Sequence, residues 1–261
     1  MDITSALRSA GLSPVDSETL MAYILHCDRS YVLAHPEQDL TDIQQQIWNT
    51  CMKRRREREP VAYITGEREF YGRLFSVDRR VHIPRPSTEN LVSMTLDFLK
   101  SPTDEVRELE RGIIGIARVL RTPATIQTVV DVGTGSGCIA VTLALERPEL
   151  RLIAIDSSPD ALEVARSNTQ RYGVESRIGF LCGSLLDPVR SLAEPFIVVS
   201  NPPYLSKEMI AAHPDIHPEP YMALYGGKDG AEIPAKLLQH AEKHPLCAGV
   251  IIECLQEHHT L

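Results

Sequence analysis

The sequence Asn201-Pro202-Pro203-Tyr204, which follows the apolar run 196–200, contains the groups with the clearest chemical potential. A planar amide or aromatic amine nitrogen is a poor nucleophile because its lone pair is delocalised. The Asn201 side-chain oxygen and the Pro202 carbonyl could accept its two N–H hydrogens, and the rigid proline backbone would fix that carbonyl. Tyr204 could stack on the flat substrate group. Asn-Pro-Pro is also a good turn after a strand, but its place at the end of a strand predicted to adjoin a glycine-rich loop favours a catalytic site formed by Asn201, Pro202, Pro203 and Tyr204.

The glycine-rich loop is Gly133-Thr134-Gly135-Ser136-Gly137, and Asp131 stands two places before it. Its glycines permit a tight turn, and the amides at the start of the following helix are free to face a ligand. Dinucleotide-binding loops have the spacing Gly-x-Gly-x-x-Gly, which this loop lacks. The loop and its acidic neighbour suit a nucleoside that carries an amino acid better than one that carries a pyrophosphate. The predicted cofactor contacts here are Asp131, Gly133, Thr134, Gly135 and Gly137.

Two further positions could contact the same nucleoside. Asp156 ends the next apolar run, where a carboxylate can accept hydrogen bonds from both ribose hydroxyls. Ser184 is the nearest polar side chain after the third run and is the predicted adenine contact, with Asp187 as the alternative. A sulfonium methyl held about 3–3.5 Å from the substrate nitrogen would complete the site. This chemistry points to S-adenosyl-L-methionine and requires neither a metal nor a nucleophilic side chain.

The elements that must position these residues alternate between strand and helix from residue 126 onward. Strands are predicted at 126–132, 150–156, 178–182, 196–200 and 249–254, and helices at 137–146, 159–172 and 230–243. Apolar strands that alternate with amphipathic helices indicate an α/β fold with a parallel sheet covered on both faces. Ligands of such sheets bind at the carboxyl ends of the strands, where the strand order reverses.

The preceding residues form two further parts. Residues 1–58 have helical periodicity, with Asp16 or Ser17 and Thr41 as candidate caps. Residues 59–125 are predicted to contain a strand pair at 62–66 and 70–77, and then an extended Pro84-Arg85-Pro86 segment. Ser87 or Thr88 could cap a helix at 89–99. A polar and then helical connector, broken by Pro123, would lead at 126 into the last domain, 126–261.

Several segments together resemble one family, the HemK/PrmC protein-(glutamine-N5) methyltransferases. Besides Asn201-Pro202-Pro203-Tyr204 and the glycine loop, they are 59–66, 69–72, 83–89 and 219–230. The resemblance implies a Rossmann-like class I S-adenosylmethionine methyltransferase domain preceded by a small helical domain. It also implies methylation of the glutamine side-chain nitrogen, N5, in the Gly-Gly-Gln motif of peptide chain release factors.

The resemblance implies roles for particular residues. Gly133, Gly135 and Asp156 would hold S-adenosylmethionine, and Asn201, Pro202 and Tyr204 would hold the substrate glutamine. Arg85 and Thr88 would lie near the cofactor and the mouth of the site. The helical N-terminal domain would help to dock the release factor, in the cytoplasm or in the mitochondrial matrix.

Three features depart from the family pattern. Ser87 stands where the family usually has an acidic residue, and the connector 101–125 is longer than expected. The chain also stops soon after its fifth predicted strand, whereas the family continues with a helix and a final antiparallel strand pair. We therefore expect this C-terminal strand pair to be missing and one sheet edge to be exposed.

Composition bears on the competing functions. The 261 residues have a formal net charge of −8, and the one dense basic run, Lys53–Arg56 with Arg58 beyond it, suits either a solvated helix face or a docking patch. An adenine-N6 nucleic-acid methyltransferase could use the same tetrapeptide but usually has a basic cleft. A catalytically impaired module that only binds the release factor is the other alternative. No membrane span, no Cys-x-x-Cys metal pair and no nucleic-acid specificity are expected, and a monomer is the default.

Overall fold

A computed structural model of the chain describes residues 1–121 and 126–258. Contacts group these residues into two units, Met1–Glu67 with Pro214–Pro218, and Arg68–His213 with Glu219–Leu261. Pro123, which was expected to break a helix in the connector, lies outside the described residues. Within the described ranges, no helix has both the length and the apolar character that crossing a membrane requires.

The first unit is helical, as predicted. Its helices are α1 (Ile3–Ser9), α2 (Pro14–Leu25), α3 (Arg29–Ala34), α4 (Asp42–Arg56) and α5 (Val61–Thr65). Ile3, Leu20, Met21 and Trp48 are at most 2% exposed and form the centre of its core. In the basic run, Arg54 pairs with Glu59 at 2.6 Å and Arg55 pairs with Asp16 at 3.1 Å, so these two charges stabilise the unit itself.

Of the two helix caps predicted in this unit, one is confirmed and one is wrong. Thr41 caps α4, and its side chain and that of Gln44 form a reciprocal capping box. Asp16 and Ser17 were the wrong caps for α2, because the helix begins earlier. Ser13 is the cap, and its hydroxyl accepts a hydrogen bond from the Asp16 amide at 3.1 Å. Pro14 occupies the first helical position, where its missing N–H costs nothing and its fixed φ fits the helix.

The strand predicted at 62–66 is wrong, since this segment forms α5. Pro60 precedes the helix and Gly66, with φ +77°, ends it, which is the usual punctuation of a helix. A two-stranded hairpin follows, with β1 at Glu67–Phe70 and β2 at Arg73–Ser76. The apolar run here, residues 61–64, is only four residues long and cannot be assigned to helix or strand by periodicity alone.

The second unit is built on a seven-stranded sheet with the order β3-β4-β9-β8-β5-β6-β7. The strands are β3 (Glu105–Glu110), β4 (Ile113–Val119), β5 (Thr128–Val132), β6 (Arg151–Asp156), β7 (Ile178–Cys182), β8 (Phe196–Ser200) and β9 (Cys247–Leu255). The five strands from β5 to β9 all run parallel to one another, and β5 lies between β8 and β6. The five predicted strands are therefore confirmed, with ends that differ by at most two residues.

Helices cover the two faces of this sheet. The helices that pack on the sheet are α6 (Pro86–Lys100), α7 (Cys138–Glu146), α8 (Pro159–Arg171) and the later helix α10 (Glu232–Lys243). A short helix, α9 (Lys207–Ala212), lies between α8 and α10 in the sequence. One core contains side chains of α6 and α7 with Val129 of β5, and the other contains α10 side chains with Val130. Because β5 is buried on both faces, its polar carboxyl end is the place where it meets a ligand.

Helix α6 begins at Pro86, with Arg85 as its N-cap residue. The prediction that Ser87 or Thr88 caps this helix is wrong, because proline sets the first helical position at residue 86, three residues earlier than expected. Both hydroxyls are buried and therefore require partners elsewhere, which they find in the site described below.

The helical prediction for the connector is also wrong. Residues 105–110 and 113–119 are β3 and β4, an antiparallel pair joined at Gly112, whose φ is +80°. The β-branched residues of β4 favour a strand. Strand β4 pairs with β9 along its whole length, from Ile113↔Leu255 to Val119↔Gly249. The β9 edge that we expected to be exposed is therefore covered, and the outermost strand, β3, is rich in charged residues.

Candidate functional site

The carboxyl ends of β5, β6 and β8 open into a cavity of about 800 Å³. The predicted residues that line it are Thr88, Gly133, Thr134, Gly135, Asp156, Ser184, Asn201, Pro202 and Pro203. A second cavity of about 960 Å³, at the β4–β9 edge around Ile113 and Leu255, is lined by none of them among the described residues. The fold thus brings the predicted nucleoside and substrate residues into one cavity.

The glycines of the loop have different tasks. Gly133 and Gly135 have φ of +73° and +53° and line the cavity, and a Cβ built on either would meet no atom closer than 4.0 Å. These two positions therefore need glycine for their backbone conformation, while open space lies beside them. Gly137 does not line the cavity. A Cβ there would lie 3.1 Å from the Ala165 Cβ, so this glycine permits close packing of α7 against α8.

Asp131 holds the loop from beneath. Its Oδ2 accepts hydrogen bonds from the Thr134 hydroxyl at 2.7 Å and from the Ala140 amide at 3.2 Å. Its Oδ1 has no hydrogen-bond partner among the described residues, and complete burial raises the pKa of this carboxyl to about 7. Asp131 therefore fixes the loop on the first turn of α7 and does not itself line the cavity.

Asp156 faces the loop from the end of β6. Its Oδ2 accepts a hydrogen bond from the Gly135 amide and its Oδ1 accepts one from the Ser158 amide, both at 2.9 Å. Burial raises the pKa of this carboxyl above its ordinary value, in spite of these hydrogen bonds. Each carboxylate oxygen retains acceptor capacity for a ligand hydroxyl.

These residues fit a nucleoside cofactor. Gly133 and Gly135 leave an open backbone surface on one side, and Asp156 offers acceptors for a ribose diol on the other. Ser184 lines the cavity beyond the end of β7. Asp187, the alternative adenine contact, lies outside the lining and pairs with Arg190 at 2.6 Å.

The amide of Asn201 is held by one side-chain contact. Its Nδ2 donates a hydrogen bond to the Thr88 hydroxyl oxygen at 2.8 Å. Its Oδ1 has no hydrogen-bond partner among residues 1–121 and 126–258, and Asn201 lines the cavity, so this oxygen is its free acceptor there. Pro202 is buried beside it, and Pro203 also lines the cavity. An acceptor side chain next to rigid proline carbonyls matches the predicted means of holding a planar nitrogen.

Two glycines that the sequence analysis did not assign to the site support this backbone. A Cβ on Gly226 would lie 2.5 Å from the Pro203 carbonyl oxygen, and one on Gly230 would lie 2.3 Å from the Tyr204 carbonyl oxygen. No side chain fits at either position without movement of the tetrapeptide. The signal was present in the sequence, since Gly226 and Gly230 lie in the segment 219–230 that carries the family resemblance.

Tyr204 is not among the residues that line the cavity. Its hydroxyl donates a hydrogen bond to Glu253 Oε1 at 2.8 Å, and burial together with the neighbouring carboxylate raises the pKa of the phenol. The hydroxyl therefore stays protonated and acts as a donor. The predicted stacking of Tyr204 on the substrate remains a prediction, because its ring does not line the cavity.

Glu253 of β9 is a site residue that the sequence analysis missed. It is 0% exposed, and its two oxygens accept hydrogen bonds from the hydroxyls of Ser87 at 3.2 Å, Thr88 at 3.0 Å and Tyr204 at 2.8 Å. Burial raises the pKa of this carboxyl. The available signal was a single acidic residue inside an otherwise apolar predicted strand, which is costly unless the group is used.

Arg85 pairs with a second buried carboxylate, that of Glu219, and does not line the cavity. The other oxygen of Glu219 lies 2.6 Å from His82 Nδ1 and accepts the Ile83 amide at 3.0 Å. Burial raises the pKa of Glu219, but the hydrogen bond and charge of His82 and the charge of Arg85 together hold it below its ordinary value. Arg85 thus neutralises Glu219, whereas His82 itself lines the cavity.

Comparison with known proteins places the chain in a family. The family model described as the PrmC N-terminal domain matches residues 1–66, and the one described as the methyltransferase small domain matches residues 108–216. The release factor glutamine methyltransferase of Koribacter versatilis (strain Ellin345) is 36% identical over 88% of this chain and 74% of its own length. That of Bacillus subtilis (strain 168) is 36% identical over 90% and 76%.

Other matches add less. A bifunctional methyltransferase of Rickettsia felis is 31% identical over 92% of this chain, which spans 47% of that longer protein. The solved catalytic domain of human Mettl16 in complex with an RNA hairpin is 13% identical, covers 79% of this chain and 66% of that chain, and has a TM-score of 0.45, too low to bear on function. The matches that cover most of both chains show the family: this chain belongs to the release factor glutamine methyltransferase family, whose methyl donor is S-adenosylmethionine.

Proposed function

We propose that this protein methylates the side-chain amide nitrogen of the glutamine in the Gly-Gly-Gln motif of a peptide chain release factor. The observation that carries this proposal is the Asn201 amide, whose nitrogen is engaged by Thr88 and whose oxygen is the free acceptor. A glutamine side-chain amide offers two N–H donors and a planar nitrogen, and it complements that acceptor. The names of the similar bacterial enzymes favour this amide over the adenine amine that the same tetrapeptide could hold.

The residues of the cavity would have two roles, cofactor binding and substrate positioning. Gly133, Gly135 and Asp156 would hold S-adenosylmethionine, which supplies a sulfonium methyl when bound. The Asn201 oxygen and the Pro202 carbonyl would accept the two N–H hydrogens and hold the nitrogen in line for attack. Transfer of the methyl group to that nitrogen would leave the cofactor's sulfur neutral, with the electron pair of the former carbon–sulfur bond, and one amide proton would pass to water.

The setting of the reaction is part of the proposal. The helical first unit would help to dock the release factor, as the match of residues 1–66 to the PrmC N-terminal domain suggests. We place the protein in the cytoplasm, where release factors work on ribosomes, and expect it to act as a monomer. The covered β9 edge and the well-formed cavity support an active enzyme over a module that only binds.

The test is direct. The protein is incubated with S-adenosylmethionine and a purified release factor, and the Gly-Gly-Gln peptide is then analysed by mass spectrometry. We expect one added methyl on the glutamine, and a rate that falls roughly 100-fold or more in Asn201→Ala, because one preorganised polar contact of the transition state is lost. Methylation of an adenine-containing RNA or DNA in place of the release factor would contradict the proposal.

A further inference from the structure

We propose that Glu253 is a positioning residue that sets which end of the Asn201 amide faces the substrate, and that it acts through Thr88. This inference rests on the proposed function, since it concerns how the same site receives the glutamine amide. Glu253 itself does not line the cavity. Any influence it has on the reaction must therefore pass through the side chains that it contacts.

The need for such a residue follows from the shape of asparagine. The oxygen and the NH₂ group of its side-chain amide are nearly equal in size, so packing alone hardly distinguishes the two orientations. Their effects on a glutamine N–H are opposite, because the oxygen accepts it and the NH₂ group repels it. A site that depends on Asn201 as an acceptor therefore needs a hydrogen-bond partner that fixes the orientation.

Thr88 can fix this orientation only if its hydroxyl proton is donated to a group other than Asn201. The hydroxyl has one proton and can donate it either to Asn201 or to Glu253. Its oxygen lies 2.8 Å from Asn201 Nδ2 and 3.0 Å from Glu253 Oε2, and we call these three side chains the relay. In the structure Glu253 Oε2 accepts from the Thr88 hydroxyl, as a carboxylate without a proton of its own must do. It therefore takes the Thr88 proton, the Thr88 oxygen must accept from Asn201 Nδ2, and Asn201 Oδ1 is left for the substrate.

The surroundings of Glu253 support this role. Glu253 is 0% exposed, and its hydrogen-bond partners are the side-chain hydroxyls of Ser87, Thr88 and Tyr204. Each of these hydroxyls donates a hydrogen bond to the carboxylate. Within the described residues no cation forms an ion pair with Glu253. A buried carboxylate without a cation costs stability, and three hydroxyl donors hold it as an acceptor in this relay.

The first test separates the relay from general damage to the fold. Glu253→Gln keeps the shape but adds an NH₂ group that can donate to Thr88, so that the Thr88 proton can turn to Asn201 and favour the flipped amide. With a release factor as substrate and saturating S-adenosylmethionine, we expect kcat to fall roughly 100-fold. The Kd for S-adenosylmethionine should stay unchanged, because Glu253 does not line the cavity.

Thr88 provides a second variant and a matched control. Thr88→Val removes the hydroxyl and should lower kcat in the same way, whereas Thr88→Ser keeps the hydroxyl and should restore most of the rate. Thr128→Val makes the same chemical change at another buried threonine, whose hydroxyl donates to Glu194 at 2.7 Å near the opposite end of the sheet, and should leave kcat unchanged. If Glu253→Gln and Thr88→Val keep the wild-type kcat while Asn201→Ala loses it, the relay is wrong and the proposed function stands.

A second measurement does not depend on turnover. In isotope-labelled protein, the Asn201 side-chain amide signal can be identified by its loss in Asn201→Ala, and its hydrogen exchange can be followed by NMR. We expect slow exchange in the wild type and faster exchange in Glu253→Gln and Thr88→Val, but not in Thr128→Val. If the wild type does not methylate a release factor, the proposed function fails, yet this exchange still decides the relay: equal protection in all proteins overturns it.

Discussion

Two buried carboxylates, Glu219 and Glu253, contact the same short segment, residues 82–88, but they differ in the charge of their partners. Glu219 pairs with Arg85 and with His82, and it accepts the Ile83 amide. Glu253 accepts hydrogen bonds from three hydroxyls, two of which belong to Ser87 and Thr88. One end of the segment is thus tied to a carboxylate by the cation of Arg85 together with His82, and the other end is tied by neutral hydroxyl donors.

The pKa directions follow from this difference. Burial raises the pKa of both groups, but His82 and Arg85 reverse the effect at Glu219, whereas the hydroxyls do not reverse it at Glu253. Glu219 therefore stabilises the folded protein in its charged form, and Glu253 is charged at a cost. The comparison indicates that Glu219 is mainly a structural tie, while Glu253 is present for its hydrogen-bonding polarity.

The largest expected effect on stability is that of Glu219→Gln. The substitution leaves Arg85 and His82 without their carboxylate and should lower the free energy of unfolding by about 2–3 kcal/mol. Loss of one partner from a fully buried pair costs about 3–5 kcal/mol, and the lower figure reflects the 34% exposure of the Arg85 side chain. Urea unfolding followed by circular dichroism measures the change, and the double variant with Arg85→Met should recover part of it. A loss equal to that of Glu253→Gln would remove the distinction between the two groups.

The pH dependence of stability should differ in sign between the two carboxylates. The folded-state pKa of Glu219 lies below the ordinary value of 4.5, so its contribution is present above pH 4.5 and is lost as the pH falls through the folded-state pKa. That of Glu253 lies above 4.5, so its contribution is present below pH 4.5 and is lost as the pH rises through the folded-state pKa. Relative to the wild type, Glu253→Gln should therefore gain stability with rising pH, and Glu219→Gln should lose it.

Unfolding free energies of the three proteins, measured in urea at several pH values from about 2.5 to about 8, test this prediction, because the Glu219 change falls below pH 4.5 and the Glu253 change above it. Each variant is compared with the wild type at the same pH, so that titration of the other groups cancels. Near pH 7 we expect Glu253→Gln to lie within about 1 kcal/mol of the wild type, because the desolvation cost that it removes offsets the weaker hydrogen bonds that it makes. Parallel pH curves for the two variants would contradict the assignment of opposite pKa shifts.

The cavity and the sheet beneath it could be predicted from sequence because their signals are local. The apolar runs of β5 to β9 and the glycine spacing at 133–137 are each contained within a few residues. The helical prediction for the connector is wrong because it assigns to a helix the residues 113–119, whose β-branched side chains favour a strand. The pairing of β4 with β9, more than a hundred residues later in the chain, could not be inferred from sequence.

The polar contacts of the site were not predictable in the same way. Thr88 and Glu253 are separated by 165 residues, and Asn201 is 113 residues from Thr88, so no spacing rule connects them. Ser87 and Thr88 also resemble ordinary helix caps, and only the start of α6 at Pro86 frees their hydroxyls for Glu253. Whether a given polar residue lines the cavity depends on the fold. Asn201 lines the cavity, whereas Tyr204, three residues later, is not part of the lining.

The smallest effect is expected from Ser87→Ala, which removes one donor to Glu253 but keeps the carboxylate. The Ser87 hydroxyl shares Glu253 Oε1 with Tyr204 and, among the described residues, makes no hydrogen bond to Thr88 or Asn201. Its 3.2 Å hydrogen bond is also the longest of the three to Glu253. Removal of one of several donors to a buried carboxylate should cost about 1 kcal/mol in the free energy of unfolding. The kcat for glutamine methylation should fall far less than in Glu253→Gln, because Glu253 can still only accept and the orientation of Asn201 is kept. Urea unfolding and single-turnover methylation of a release factor measure the two quantities on the same protein. A loss of kcat as large as that of Glu253→Gln would mean that the site depends on every donor to Glu253, and hence on the rigidity of the cluster, more than on the direction of the Thr88 proton.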